Sequence, residues 1–196
     1  MLRTIKPCVL VAEGCANHMG RLDIALEMTR IASLCGIEYI KWQKRNPIES
    51  TPVAWHNKPH PNPWNAFGET YLQHRIALEF SIQQHRELKA YADEVKIKYA
   101  CSVWDCTSAK EIISLDPEYI KVPSAANQNF RLLEFLANEY SRGIHISLGM
   151  TTLEEKDKLF NFIHKKIGKD RVTIYHCTTE YPCPFERLYL REIEAL

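Results

Sequence analysis

Apolar positions along this chain change spacing in a repeating cycle, from short unbroken runs to three- and four-residue repeats and back. The first cycle is the most complete. Cys8 to Ala12 is a continuous apolar run, as suits a strand buried on both faces, and it stops at the carboxylate of Glu13. Gly14 to Gly20 is loop. Leu22, Ala25, Leu26, Ala32 and Cys35 then give one apolar helix face, which Gly36 ends. Ile37 to Trp42 is a second strand, finishing in Lys41, Gln43, Lys44 and Arg45. Parallel strands joined by a helix share a direction, so Glu13 and Lys41 are expected on the same rim.

The later cycles vary this unit. Gln43 to Gly68 is rich in Pro, Asn, His and Trp and is expected to be a long loop, a candidate lid over the rim. Thr70 to Leu78 reads as helix, and Ser81 with Gln84 makes a capping box for another that runs to about Val95. Lys98 to Ser102 is the third strand, followed by Asp105, and Thr107 to Leu115 a short helix. Tyr119 to Val122 is the fourth strand, carrying Lys121 and followed by Ser124. Phe130, Leu133, Leu136 and Ala137 line the next helix, and Ile144 to Ser147 is the fifth strand. Thr152 with Glu155 caps a helix to about Ile167, and Val172 to His176 is the sixth strand, leading into Cys177, Thr178, Thr179 and Tyr181.

Six strands alternating with helices make an α/β protein with a parallel sheet and helices outside. A doubly wound sheet usually carries a Gly-rich phosphate turn after its first strand, and EGCANHMG is not G-x-G-x-x-G. A (β/α)8 TIM-type barrel needs no such turn and gathers its active groups at the carboxyl ends of several strands. The expectation is therefore that barrel, incomplete in this chain at about six βα units, with an apolar interior open along one side.

Composition narrows the function classes. The 196 residues suffice for one sizeable core, and 45% hydrophobic with 25% charged is ordinary for a globular domain. A formal net charge of +1 gives no bulk reason to expect nucleic acid or a membrane surface as partner, so any anion site is local. The first apolar stretch is too short for a membrane span and lacks a signal cleavage site, which points to the cytoplasm. Seven cysteines without a C-x-x-C pair, several of them (Cys8, Cys35, Cys101, Cys177) inside expected elements, suggest reduced core thiols; zinc-ligand spacings are absent.

Lys41 and Lys121 each sit one step from a strand end, where a buried ammonium is costly unless an anion accompanies it. Either each pairs with a carboxylate such as Glu13 or Asp105, or the two converge with Ser102, Ser124 and Ser147 into a phosphate or carboxylate site. Glu13 suits a base or a lysine partner. His18 and His176 read as hydrogen-bonded structural residues, and His56 and His60 as solvated loop.

Five stretches, AEGCANHMGRLDIALEMTRIASLCGIEYIKWQKR, SVWD, YIKVPSAANQN, ISLGMTTLEE and HCTTEYPCPFE, resemble in order the strand-end motifs of the sialic acid synthase family. That resemblance implies a (β/α)8 barrel transferase that condenses phosphoenolpyruvate with N-acetylmannosamine, a related N-acyl sugar or its 6-phosphate, giving a nonulosonic acid and phosphate. It implies that Lys121, Ser102, Ser124 and Ser147 hold the phosphate, with Lys41 and Glu13 near the carboxylate and reacting carbons. Gln43 and Tyr181 would face the sugar, and Thr179 stands where members often have a ligand-contacting Asn. Ala126 stands where many members carry Asp or Glu.

The family also uses a divalent metal, Mn or Mg, that polarises the sugar aldehyde. Its ligands lie in units after the sixth strand, and a small C-terminal antifreeze-like domain reaches into the partner's site in a homodimer. Residues 1–196 would then be the front of such a barrel, or a product that does not catalyse alone. Two other readings fit the lysines: a Schiff-base aldolase, and a non-catalytic anion-binding or assembly partner.

Overall fold

Six parallel strands pair strictly in chain order, from β1 to β6, with a helical segment between each pair. The structure, a computed structural model, describes residues 8–196. Its elements are β1 (Val11–Cys15), α1 (Leu22–Leu34), β2 (Tyr39–Lys44), α2 (Pro47–Ser50), α3 (Tyr71–Leu78), α4 (Ile82–Glu94) and β3 (Lys98–Val103). They continue as α5 (Cys106–Ile113), β4 (Tyr119–Val122), α6 (Phe130–Glu139), β5 (Gly143–Ser147), α7 (Leu153–Phe162) and β6 (Val172–Tyr175). Consecutive parallel pairing is barrel order. Among the described residues the sheet does not close, and β1 and β6 are its edges.

Alternation along the strands decides where the core sits. Ile40, Trp42, Tyr99, Cys101, Val103, Ile120, Val122, Ile144 and Ile146 are fully or almost fully buried and meet Ala25, Leu88, Ile112, Leu132, Leu136 and Leu159 from the helices. This is the outer face, and it carries the hydrophobic stabilisation. The opposite face differs from the apolar interior the sequence suggests. There β2 presents Tyr39, Lys41 and Gln43, β4 presents Tyr119 and Lys121, β5 presents His145 and Ser147, and β6 presents Tyr175. Each apolar run hides one polar or aromatic position in two, which a reading of continuous runs averages away.

Several boundaries move. β1 starts at Val11 rather than Cys8, because the amide of Leu10 donates to the Glu38 carboxylate (2.9 Å), so Glu13 lies within the strand. β2 starts at Tyr39 and includes Gln43 and Lys44. Both capping boxes, at Ser81 and Thr152, are present, and Thr70 with Gln73 makes a third. The thiols are free, yet only Cys101 is buried; Cys8 and Cys35 are exposed, since their segments end before they reach the core.

The stretch from Gln43 to Gly68 is more ordered than a plain loop. Asn46 caps α2, Glu49 accepts from the amide of Cys106 (3.2 Å) and the hydroxyl of Thr107 (2.6 Å), and the amide of Asn46 donates to Asp105 (2.8 Å). The base of this segment is thus fixed to the start of α5. Two single 3-10 turns follow, at Val53–Trp55 and Pro63–Asn65. His56 and His60 are half-buried rather than solvated: His56 Nε2 meets the Thr51 carbonyl (2.9 Å), and His60 lies over His74 with ring centroids 4.2 Å apart.

Candidate functional site

Parallel register lines up the polar residues of successive strands at the carboxyl rim. Glu13 is opposite Lys41 in the β1–β2 ladder, and their side chains form an ion pair. Lys41 is buried while Glu13 is largely exposed on the open side, so the pair leaves the carboxylate reachable by solvent. One step toward the rim, Gln43 is opposite Ser102, Ser102 opposite Lys121, and Lys121 opposite His145. A single row across four strands therefore carries an amide, a hydroxyl, an ammonium and an imidazole.

Lys121 differs from the other rim lysines. Lys41 pairs with Glu13 and Lys44 with Glu111 (3.2 Å), but among the described residues no carboxylate pairs with Lys121. Asp105, the other carboxylate considered for this role, is used elsewhere: it caps α5 through the amide of Ser108 (2.7 Å), and burial raises its pKa. Burial lowers the pKa of the Lys121 ammonium, and the positive charge of Lys41 lowers it further. Its nitrogen stands 5.7 Å from the centre of the Tyr175 ring, a weak cation–π contact. An ammonium held in this way is stabilised by an incoming anion.

Hydroxyls surround it. The Ser147 Oγ is buried without a hydrogen-bond partner among the described residues. Ser124 Oγ accepts from the amide of Gly149 (3.1 Å), which leaves its own proton free to donate. Gly149 is glycine for want of space: a Cβ there would lie 2.4 Å from Thr179 Oγ1 and 2.7 Å from Ser124 Oγ. The ends of β4, β5 and β6 therefore close on one point. Tyr181 does not join them; it is 91% exposed.

Some contributors were not singled out in the sequence. Beneath Lys121 the His145 ring stacks on Tyr119 (3.8 Å), and its Nδ1 meets the Tyr175 hydroxyl (2.7 Å). Burial, with the charges of Lys41 and Lys121, pushes His145 down to about 4, so the ring is neutral. The strand alternation Tyr119-x-Lys121 and His145-x-Ser147 is the signal that would have found this floor. Asn127, almost fully buried, donates to the Ser147 carbonyl (2.9 Å) and Thr151 Oγ1 (2.7 Å), holding the β5–α7 turn. Nothing in local spacing marks it. Ala126 is buried in the 3-10 turn after β4, so it offers no polar group to the rim.

The histidines set aside as structural are hydrogen-bonded. His18 is buried against Phe80 (3.8 Å) and its Nδ1 accepts from the amide of Gly20 (3.0 Å), while His176 Nε2 meets the Leu188 carbonyl (2.8 Å). Among the described residues no three His, Cys, Asp or Glu side chains converge as a divalent cation requires, so these donors do not form a metal shell. What they form is a cationic, hydroxyl-lined concavity. No described helix is long and apolar enough to cross a membrane.

Residues 28–196 match the model of the NeuB family. The chain is 33% identical over 190 residues to the human N-acetylneuraminate-9-phosphate synthase, covering 95% of this chain and 51% of that protein. It is 28% identical over 193 residues to the N,N'-diacetyllegionaminic acid synthase of Campylobacter jejuni, covering 98% and 58%. Among solved structures, the N-acetylneuraminic acid (sialic acid) synthetase of Leptospira borgpetersenii superposes with a TM-score of 0.80 at 23% identity, covering 100% of this chain and 64% of that one, a likeness of fold. The chain spans about half the length of the curated relatives it matches.

Proposed function

The chain belongs to the NeuB family, and on that premise we propose that it forms the phosphoenolpyruvate-binding front of a (β/α)8 synthase that joins phosphoenolpyruvate to an N-acyl amino sugar. The observation that carries this reading is Lys121: a half-buried ammonium without a carboxylate partner among the described residues, ringed by hydroxyls that can donate. Phosphate supplies the missing negative charge and accepts those hydrogen bonds.

In this reading Lys121 with Ser102, Ser124 and Ser147 grips the phosphate. Lys41 faces the carboxylate of the same substrate, exchanging part of its attraction to Glu13 for it, and the released Glu13 stands by the reacting carbons as a proton acceptor. The enol carbon attacks the sugar aldehyde, water adds to the resulting cation, and the C–O bond to phosphate breaks, giving a nonulosonic acid and inorganic phosphate. Lys121 and the serines stabilise negative charge on the phosphate throughout. Gln43, Tyr181 and Thr179 address the sugar. No step here uses a metal, because the described residues do not build a site for one. The complete protein would be a cytoplasmic homodimer whose remaining units close the barrel.

The test is calorimetry of phosphoenolpyruvate binding to Lys121→Ala. Losing a charge-assisted contact should cost roughly 2 kcal/mol or more, about 30-fold in Kd. Unchanged affinity would refute the phosphate site. The lowered pKa of Lys121 also favours an amine nucleophile, so borohydride trapping with pyruvate is the companion assay: a covalent adduct at Lys121 would favour the Schiff-base aldolase instead.

A further inference from the structure

Gln43 has an amide that either donates or accepts, and its neighbour decides which. The guanidinium of Arg45, the first residue after β2, donates to Gln43 Oε1 (3.4 Å). Arginine has five donors and no acceptor, so the amide atom that faces it must be the oxygen. The Nε2 group of Gln43 makes no hydrogen bond within the described residues and is turned toward the rim.

Arg45 is itself fixed from three elements. Its guanidinium lies over the Trp104 ring, 3.9 Å from the centroid, at the end of β3. Its Nε is 3.5 Å from Glu79 Oε1, and its backbone amide donates to Glu79 Oε2 (3.0 Å), at the end of α3. Both side chains of this pair are largely buried, 15% and 10% exposed. A planar fork stacked on an indole and anchored by a carboxylate has little rotational freedom, and lysine cannot reproduce that geometry.

We propose that Arg45 is a positioning residue that locks the amide of Gln43 with its NH2 facing the site, making Gln43 a hydrogen-bond donor to an oxygen of the acceptor sugar. This rests on the function proposed above, and it deepens it: the group Gln43 recognises is an acceptor such as a carbonyl or ether oxygen, rather than a hydroxyl used as donor. Arg45 touches no reacting atom in this scheme. Its influence passes through Gln43.

The experiment uses the full-length protein saturated with phosphoenolpyruvate and titrated calorimetrically with N-acetylmannosamine and with its 6-phosphate. Because Arg45→Met alone strands Glu79, the variant is Arg45→Met with Glu79→Gln, checked by a thermal melt. The expected result is phosphoenolpyruvate affinity within about twofold of wild type and sugar affinity weakened about tenfold. Arg45→Lys should not rescue it. Gln43→Glu, which keeps the Arg45 contact but presents only acceptors, should weaken sugar binding at least as much. The side-chain NH2 resonances of Gln43, assigned by their loss in Gln43→Ala, should shift in the Arg45 variant, a readout that needs no ligand. Unchanged sugar affinity, or unshifted Gln43 resonances, would overturn the proposal, and so would a wild type that binds phosphoenolpyruvate but neither sugar. A wild type that fails to bind phosphoenolpyruvate overturns the function proposed above, and this inference with it.

Discussion

Replacing Gly149 by alanine adds one methyl group where three strand ends meet. The backbone at Gly149 is not among the positive-φ positions, so an L-residue can adopt it and space is the sole obstacle. The new Cβ would lie 2.4 Å from Thr179 Oγ1, 2.7 Å from Ser124 Oγ and 3.2 Å from Ser124 Cβ, all on short side chains that cannot swing far. Overpacking of this kind costs about 1–3 kcal/mol, and displacing Ser124 forfeits its bond from the Gly149 amide, about 1 kcal/mol more. For a chain of this length that corresponds to a fall in Tm of roughly 5–15 °C. Because Ser124 moves, phosphoenolpyruvate affinity should drop about tenfold, which is about 1.4 kcal/mol. The control is Gly143→Ala at the start of the same strand, where the nearest atoms are 3.6 Å away. There the melt should be unchanged or raised by up to about 1 kcal/mol. A Gly149→Ala protein that melts with wild type and binds the ligand normally would show that the strand ends are not packed as described.

Acid should unfold the protein early. Burial pushes His18 down to about 4 and His85 to about 3, and burial with two lysines holds His145 at about 4. Each is neutral in the fold but protonates near 6.5 once unfolded, so stability is full above that pH and falls by about 1.4 kcal/mol per pH unit per ring on the way to 4. Glu79, raised to about 7 by burial, works in the opposite sense between 7 and 4.5, leaving a net loss on the order of 6 kcal/mol. Urea titrations at pH 7, 5.5 and 4 measure this, and a flat profile would contradict it. Asn127→Ala removes the amide that ties Ser147 to Thr151 and should cost about 2 kcal/mol in denaturant melts, while weakening phosphoenolpyruvate binding with Lys121 intact. In hydrogen exchange, residues 46–51 should be protected without ligand, and residues 53–68 should gain protection when phosphoenolpyruvate is added. Equal exchange of 53–68 in both states would make that segment a connector and not a lid.

The β/α alternation was legible because each unit carries its own period, and the caps at Ser81 and Thr152 are local signals that tertiary context did not override. The Glu13–Lys41 pair was legible for a similar reason: parallel direction alone puts both on one rim. What escaped notice depends on partners far away in sequence. Tyr119 and His145 meet only through the β4–β5 ladder, and Arg45 is held by residues from two other elements, Glu79 and Trp104. Cys8 and Cys35 were misplaced because apolar character was taken as burial, whereas their segments end short of the core.

The strict chain order of the strands also sets how the protein reaches its fold. Most neighbouring strands pair across one short unit, as where Cys101 meets Ile120, but β2 meets β3 with Tyr39 opposite Lys98, across α2, α3 and α4. Loop closure grows costlier with length, by about 0.6 kcal/mol per doubling, so this is the junction that waits longest to form. It is also the junction that puts Gln43 beside Ser102. A nascent chain can thus complete β3 to β6, with Lys121 already in its row, before β2 arrives, and the residues expected to hold phosphate assemble earlier than those expected to choose the sugar.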